Sequence, residues 1–186
     1  MIKIAVTGSI ASGKTTVAKM LSGKKYLLFD ADKEVKKIYK NRFFKNKIIK
    51  KLGTNNKNLI KKLLSKNPEK LRTIEKIIHP LVRKELKSFV KKNKRQKFLI
   101  FEIPLLIESR LMKSFDKIIL VNSKKVLRLK RYLKRRKNKI FFKLLDKRQL
   151  SPIKKIKFSD HVINNNVYLK NLRKNVMIIK NKILMK

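Results

Sequence analysis

Residues 2–16 read IKIAVTGSIASGKTT, and this stretch decides the fold. Ile2–Val6 is a short apolar run suited to a strand. Gly8-Ser9-Ile10-Ala11-Ser12-Gly13-Lys14-Thr15 follows in the pattern G-x-x-x-x-G-K-[ST]. From about Gly13 to Leu21 the spacing is helical, with Thr16 in the first turn and Val17, Met20 and Leu21 on one face. Glycines let the backbone wind around a phosphate group, and successive N–H groups with the helix N-terminus supply positive potential. In that arrangement Lys14 reaches the β- and γ-phosphates as a point charge, and the Thr15 hydroxyl ligates Mg²⁺. The flanking strand and helix set the motif apart from a chance Gly/Ser turn with a solvated lysine. It points to a nucleoside triphosphate and says nothing of the acceptor.

Outward from the loop, Tyr26–Phe29, Phe98–Phe101, Lys117–Val121 and His161–Ile163 read as four further short strands. Helical patterns separate them: Glu34 to Asn93, with Leu59, Ile60, Leu63, Leu64, Leu71, Ile74, Ile77 and Ile78 at three- and four-residue spacing; Ser123 to Arg136; about Ile140 to Gln149; and a closing helix from Tyr168. Pro68 and Pro80 are expected at helix starts. Ile178, Ile179, Ile183 and Leu184 are expected to pack in the core. Strands that alternate with helices and are apolar throughout imply a five-stranded parallel sheet covered on both faces. The α/β core is expected at about 1–33 and 96–186, with the helical block 34–95 as an insertion.

The chain has 186 residues, one domain's length, and 42% of them are hydrophobic, enough for a core. With that hydrophobic share, a net charge of +43 does not describe a wholly disordered chain. The absence of Cys excludes a disulfide framework, a thiolate metal site and a cysteine nucleophile, and two His leave little for an imidazole metal centre. Of the 54 basic residues 43 are Lys and 11 Arg, beside abundant Ile and Asn, as AT-rich codons would produce. Base readers favour Arg, and single-strand binders interleave aromatics with basic residues; neither pattern stands out. The expectation is therefore no specific nucleic acid, although the field would still favour an anionic substrate. MIKIAVTG is too short for a secretion signal, and FLIFEIPLLI contains Glu102 and Pro104 in ten residues, far short of a spanning helix. A cytoplasmic protein without a membrane partner, a monomer or small homo-oligomer, is expected.

Asp30 and Asp32 close the second strand, where parallel sheets gather their ligand crevice. Two residues apart in an extended segment, they face the same way. Such a carboxylate accepts a hydroxyl proton or holds Mg²⁺ through water; alternatively, Asp32 caps a following helix. His79 before Pro80 reads by itself as a polar cap at a helix–helix junction. Glu102 ends an apolar strand, where burial without a partner is costly, so it is expected to be paired or functional. Arg128, Arg131, Arg135 and Arg136 recur at helical spacing, either as an exposed basic face or as a phosphate-clamping lid.

TGSIASGKTTVA followed by FDAD resembles the dephospho-CoA kinase family, P-loop kinases that use ATP to phosphorylate the ribose 3′-hydroxyl of dephospho-CoA, giving CoA. IIHPLVRKEL, FEIPLLIE and the stretch Gln149 to Asn165 resemble further segments of that family in the same order, so the likeness spans nearly the whole chain. It implies a three-layer P-loop kinase fold with a helical substrate insertion and a lid at about 128–149. It implies ATP and dephospho-CoA as partners and Mg²⁺ as cofactor. Gly8, Ser9, Ile10, Ala11, Ser12, Gly13, Lys14, Thr15 and Thr16 would seat the ATP phosphates, with Arg148 and Asn165 near the adenine end. Asp32 would be the base, and Asp30 would support it or the metal; His79, Arg83, Glu102, Pro104 and Leu105 would meet the acceptor, and Arg135 would sit in the lid. The chain departs from the family pattern at Ser9 and Ala11, where Gly is usual, at Glu102 for Asp, and at Lys155 for Arg. Other readings are a kinase of another nucleotide or small metabolite, a nucleic-acid-dependent NTPase, and a non-catalytic nucleotide-binding module.

Overall fold

Five parallel strands, β1 (Ile2–Gly8), β2 (Leu27–Asp30), β3 (Phe98–Glu102), β4 (Lys117–Asn122) and β5 (His161–Asn164), pair in the order β2-β3-β1-β4-β5. The computed structural model describes residues 1–67, 69–135 and 138–184, and of 57, 61 and 65 only the backbone. All five residues of β3 are buried, because a central parallel strand is covered on both faces. On one face Ile4, Val6, Phe98, Ile100, Ile119 and Val121 pack against Val17, Ala18 and Leu21 of α1 (Lys14–Ser22) and against the closing helix. On the other face Ala5, Leu99, Phe101 and Leu120 are also buried, and Phe101 meets Phe115 edge-on at 5.1 Å between ring centres.

The chain forms two compact units, Met1–Asp30 with the chain from Asn93 onward, and Ala31–Lys92. The second unit holds α2 (Ala31–Ile38), α3 (Arg42–Leu52), α4 (Lys57–Lys66) and α5 (Lys70–Lys92). Its core is Ile38, Phe44, Ile48, Leu52, Ile60, Leu64, Ile74 and Ile78. Asn41 caps α3 by accepting from the Phe43 and Phe44 N–H groups, and Asn56 caps α4 through Asn58 and Leu59. Each cap satisfies two of the donors a helix start leaves orphaned.

The remaining helices belong to the first unit. They are α6 (Lys125–Lys134), α7 (Lys139–Arg148), α8 (Pro152–Ile156) and α9 (Leu169–Leu184), with a 3₁₀ turn at Met112–Ser114. Asp160 opens β5: its carboxylate accepts from the Ile118 N–H at 2.8 Å, and its own N–H donates to the Ile118 carbonyl.

Three expectations need correction. Pro80 lies inside α5 rather than at a helix start, because the apolar spacing from Ile74 to Leu86 runs through it. A proline within a helix forfeits one backbone bond and costs about 3 kcal/mol, which the packing of Ile74, Ile78 and Leu86 offsets. Ile178 is 45% exposed. The inward stripe of α9 is Leu172, Val176, Ile179 and Ile183, and Ile178 lies one residue off it. Asp32 stands in the first turn of α2, not in an extended segment, so the premise that it faces the same way as Asp30 fails. The cap reading fails with it, since the helix already begins at Ala31. Pro68 lies outside the described residues.

Candidate active site

β1 delivers the chain to Gly8, and α1 receives it at Lys14. Between them the Ser12 N–H donates to the Ser9 carbonyl at 3.1 Å and closes the loop. Gly8 has φ +150° and Gly13 φ +102°, conformations that favour glycine. A Cβ on Gly8 would overlap the Val121 carbonyl oxygen, and one on Gly13 would overlap the Asn165 side-chain amide. Backbone at Val121 cannot swing aside as the Asn165 side chain can. Gly8→Ala is therefore expected to cost roughly 2–4 kcal/mol, from backbone strain and overpacking together, in a denaturant titration. Gly13→Ala is expected to cost less.

Lys14 is buried, and its ammonium donates to the Ser9 carbonyl at 3.0 Å, arching back over the loop. The Thr15 hydroxyl donates to Glu102 Oε1 at 2.6 Å. Glu102 is only 2% exposed and is paired with Thr15, as expected of a buried carboxylate at a strand end. It is in register with Val6 of β1 and with Asp30 of β2. Two carboxylates thus end neighbouring strands at the sheet's carboxyl edge, beside the loop. With its proton given to Glu102, Thr15 keeps oxygen lone pairs free for a cation. The hard oxygens of Thr15 and Glu102 are the donor type a Mg²⁺-sized divalent ion takes. Among the described residues no group of three or more His, Cys, Asp or Glu converges as a metal cage. Thr16 is half-buried in the first turn of α1.

The loop is also gripped from outside. The Ile10 N–H donates to Gln149 Oε1 at 2.7 Å, and Arg128 Nη1 reaches the Ile10 carbonyl at 3.4 Å. On the other flank Asn165 Nδ2 donates to the Ser12 carbonyl at 2.8 Å. Arg131 in turn donates to the Asn165 carbonyl at 2.9 Å and to Ser123 Oγ at 3.0 Å. Arg128 is buried, bound to Asp146 at 2.6 Å and to the Ser123 carbonyl at 3.1 Å. The basic run at 128–136 is therefore not one exposed face. Its first two arginines are committed to the protein because they sit on the inward side of α6. Arg135 is exposed at the end of α6, Arg148 is half-buried at the end of α7, and Arg136 lies outside the described residues.

Burial alone would raise the Asp146 pKa, but hydrogen bonds from Arg128 and Lys125 outweigh it and hold the carboxyl below its ordinary value. A depressed folded pKa gives stability that is fully present above the unfolded value, about 4, and is lost as pH falls through the folded one. Asp146→Asn is thus expected to lower the melting temperature at pH 7, and the gap to the native chain is expected to close on acidification towards pH 3. A gap that stayed constant with pH would contradict the pairing.

In the second unit, Glu75, His79 and Arg83 follow one another at single-turn spacing along α5. His79 is mid-helix rather than a cap at a junction, as the continuity of α5 through Pro80 requires. Burial pushes its imidazole pKa down, Glu75 opposes the shift and Arg83 adds to it. Asp32 is one of two acids in the first turn of α2. Back in the first unit, Pro104 and Leu105 follow β3 after Ile103. The Ile103 N–H extends the ladder to the Val6 carbonyl, and the Thr7 hydroxyl donates to the Pro104 carbonyl at 3.3 Å.

The chain has relatives among known proteins. The sequence model of the family described as dephospho-CoA kinase matches residues 2–171. A dephospho-CoA kinase of Fusobacterium nucleatum subsp. nucleatum is 40% identical over 182 residues, covering 93% of this chain and 94% of that one. The chain belongs to the dephospho-CoA kinase family. In fold it is similar to a Thermus thermophilus protein of known crystal structure, with a TM-score of 0.79 and 24% identity over 97% of both chains. It is likewise similar to the dephospho-CoA kinase of Campylobacter jejuni, at 0.64 and 24% over 97% of this chain and 96% of that one.

Sequence reasoning missed the family member's outer brace. Arg128 and Asp146 are distant in the sequence and meet only in the fold. One signal was available: with 11 acidic residues in 186, each retained acid is a candidate for a partner. Asp116, Asp146, Asp160, Glu102 and Glu108 all have one.

Proposed function

We propose that the chain transfers the γ-phosphoryl group of ATP to the ribose 3′-hydroxyl of dephospho-CoA, giving CoA and ADP. What supports this reading most is the family match over residues 2–171 combined with a phosphate loop whose lysine, threonine and carboxylate partner stand together. Phosphoryl transfer asks a protein chiefly for positioning and charge stabilisation. The N–H groups of the loop and the start of α1 receive the β- and γ-phosphates, and Lys14 moves from the Ser9 carbonyl onto the phosphate oxygens. A divalent cation, Mg²⁺ in this reading, supplies charge neutralisation on those phosphates when bound, and Thr15 with Glu102 would hold it.

Asp32 takes the 3′-hydroxyl proton as that oxygen attacks phosphorus. The bond from the γ-phosphorus to the bridging oxygen breaks, and ADP leaves with the electron pair. Asp30 supports the metal side of the site. His79 and Arg83 hold the CoA-like acceptor, with Pro104 and Leu105 beside its ribose. Arg135 belongs to a lid formed by residues 128–149, and Arg148 and Asn165 lie towards the adenine. Residues 34–95 form the acceptor-binding insertion. Phosphorus NMR of the product tests the assignment: a new 3′-phosphomonoester resonance is expected, and a product phosphorylated elsewhere would overturn it.

A further inference from the structure

Ile10 is held by side chains at both its N–H and its carbonyl, by Gln149 at the end of α7 and by Arg128 of α6. In a phosphate loop the backbone N–H groups turn inward to the anion. The Ile10 N–H instead points outward to Gln149, so it is withdrawn from the anion cradle and used as an anchor. The next residue, Ala11, stands at φ +57°, left-handed backbone that a non-glycine residue adopts only when its surroundings impose it. Gln149 is fixed in turn. The N–H of the adjacent Leu150 donates to Glu108 Oε1 at 3.0 Å, and Lys155, fully buried, places Nζ 2.8 Å from the same oxygen. That contact is an ion pair without hydrogen-bond alignment. It fastens the loop after β3 to the segment carrying Gln149.

We propose that Gln149 is a positioning residue for ATP: its side-chain carbonyl holds the Ile10 peptide, and the Glu108–Lys155 pair behind it sets its reach. The shape of the phosphate loop is then imposed from the segment between α7 and α8 rather than by glycines alone. This rests on the reading of residues 8–15 as the seat of the ATP phosphates. Lys155 and Glu108 are poor places to test it, because removing one partner of a buried ion pair commonly unfolds a protein. Gln149 is half-buried at a helix end, and Gln149→Met keeps its length while removing the acceptor.

The experiment measures Mg-ADP affinity of the full chain calorimetrically without acceptor, the KM for each substrate, and hydrogen exchange at the Ile10 amide. Gln149→Met is expected to weaken ADP binding and raise the ATP KM about three- to tenfold, the worth of one hydrogen bond. The dephospho-CoA KM is expected to stay within about twofold of the native value, and the Ile10 amide to lose its protection in the nucleotide-free chain. Gln149→Glu, which keeps an acceptor at the same reach, is expected to retain that protection. Unchanged ADP affinity in Gln149→Met would overturn the proposal alone. So would equal rises in both KM values together with a lower melting temperature, which would mark general destabilisation. A native chain that bound no ADP would overturn the phosphate-loop reading as well.

Discussion

Lys14→Ala is expected to lower turnover at least about 100-fold, the scale of losing one preorganised donor to a developing oxyanion. The expected effect on stability is small and has the opposite sign. A cation in the first turn of a helix opposes the helix dipole by about 0.3–1 kcal/mol, and alanine is the best helix former. Lys14 is nevertheless buried there, and its ammonium donates to the Ser9 carbonyl. Thermal unfolding and steady-state rates on the same variant separate the two effects. Native turnover in Lys14→Ala would remove the phosphate loop from the mechanism.

Asp32→Asn is expected to lower turnover about 100-fold or more, within the range general bases contribute, while ATP affinity stays within about threefold. Asp32 also lies in the first turn of α2, where an acid favours the helix by up to about 1 kcal/mol. A residue kept only for that purpose would give a lower melting temperature and undiminished turnover. A base gives the reverse pattern: a large loss in the rate at saturating substrate, unaccompanied by loss of nucleotide binding. Equal losses in turnover and ATP affinity would assign Asp32 to metal or structure instead.

The loop and the sheet were legible because their causes are local. Gly8 and Gly13 stand where backbone geometry demands them, and the parallel strands are buried on both faces, so they read as unbroken apolar runs. Glu102 was legible for the same reason: a lone carboxylate ending such a run must find a partner, and it finds Thr15. Pro80 was misread because proline marks helix starts only when tertiary packing does not carry the helix through it. Asp32 was misread because α2 begins immediately after β2, and two residues of context cannot separate a strand end from a first helical turn. The brace on Ile10 was illegible in principle. Residues 10, 128, 146 and 149 meet through the order of the sheet, which no periodicity encodes. Scarcity offered the nearest clue, since Arg and acidic residues are rare in this chain and those at 128, 131 and 146 are committed to one another or to the loop's support.

The most direct test of the central claim is ADP release from Mg-ATP, compared across dephospho-CoA, CoA, AMP and single-stranded DNA. Release is expected to be stimulated by dephospho-CoA and not by CoA, whose 3′ position already carries a phosphate. Stimulation by AMP or DNA alone, or by CoA as strongly as by dephospho-CoA, would contradict the account.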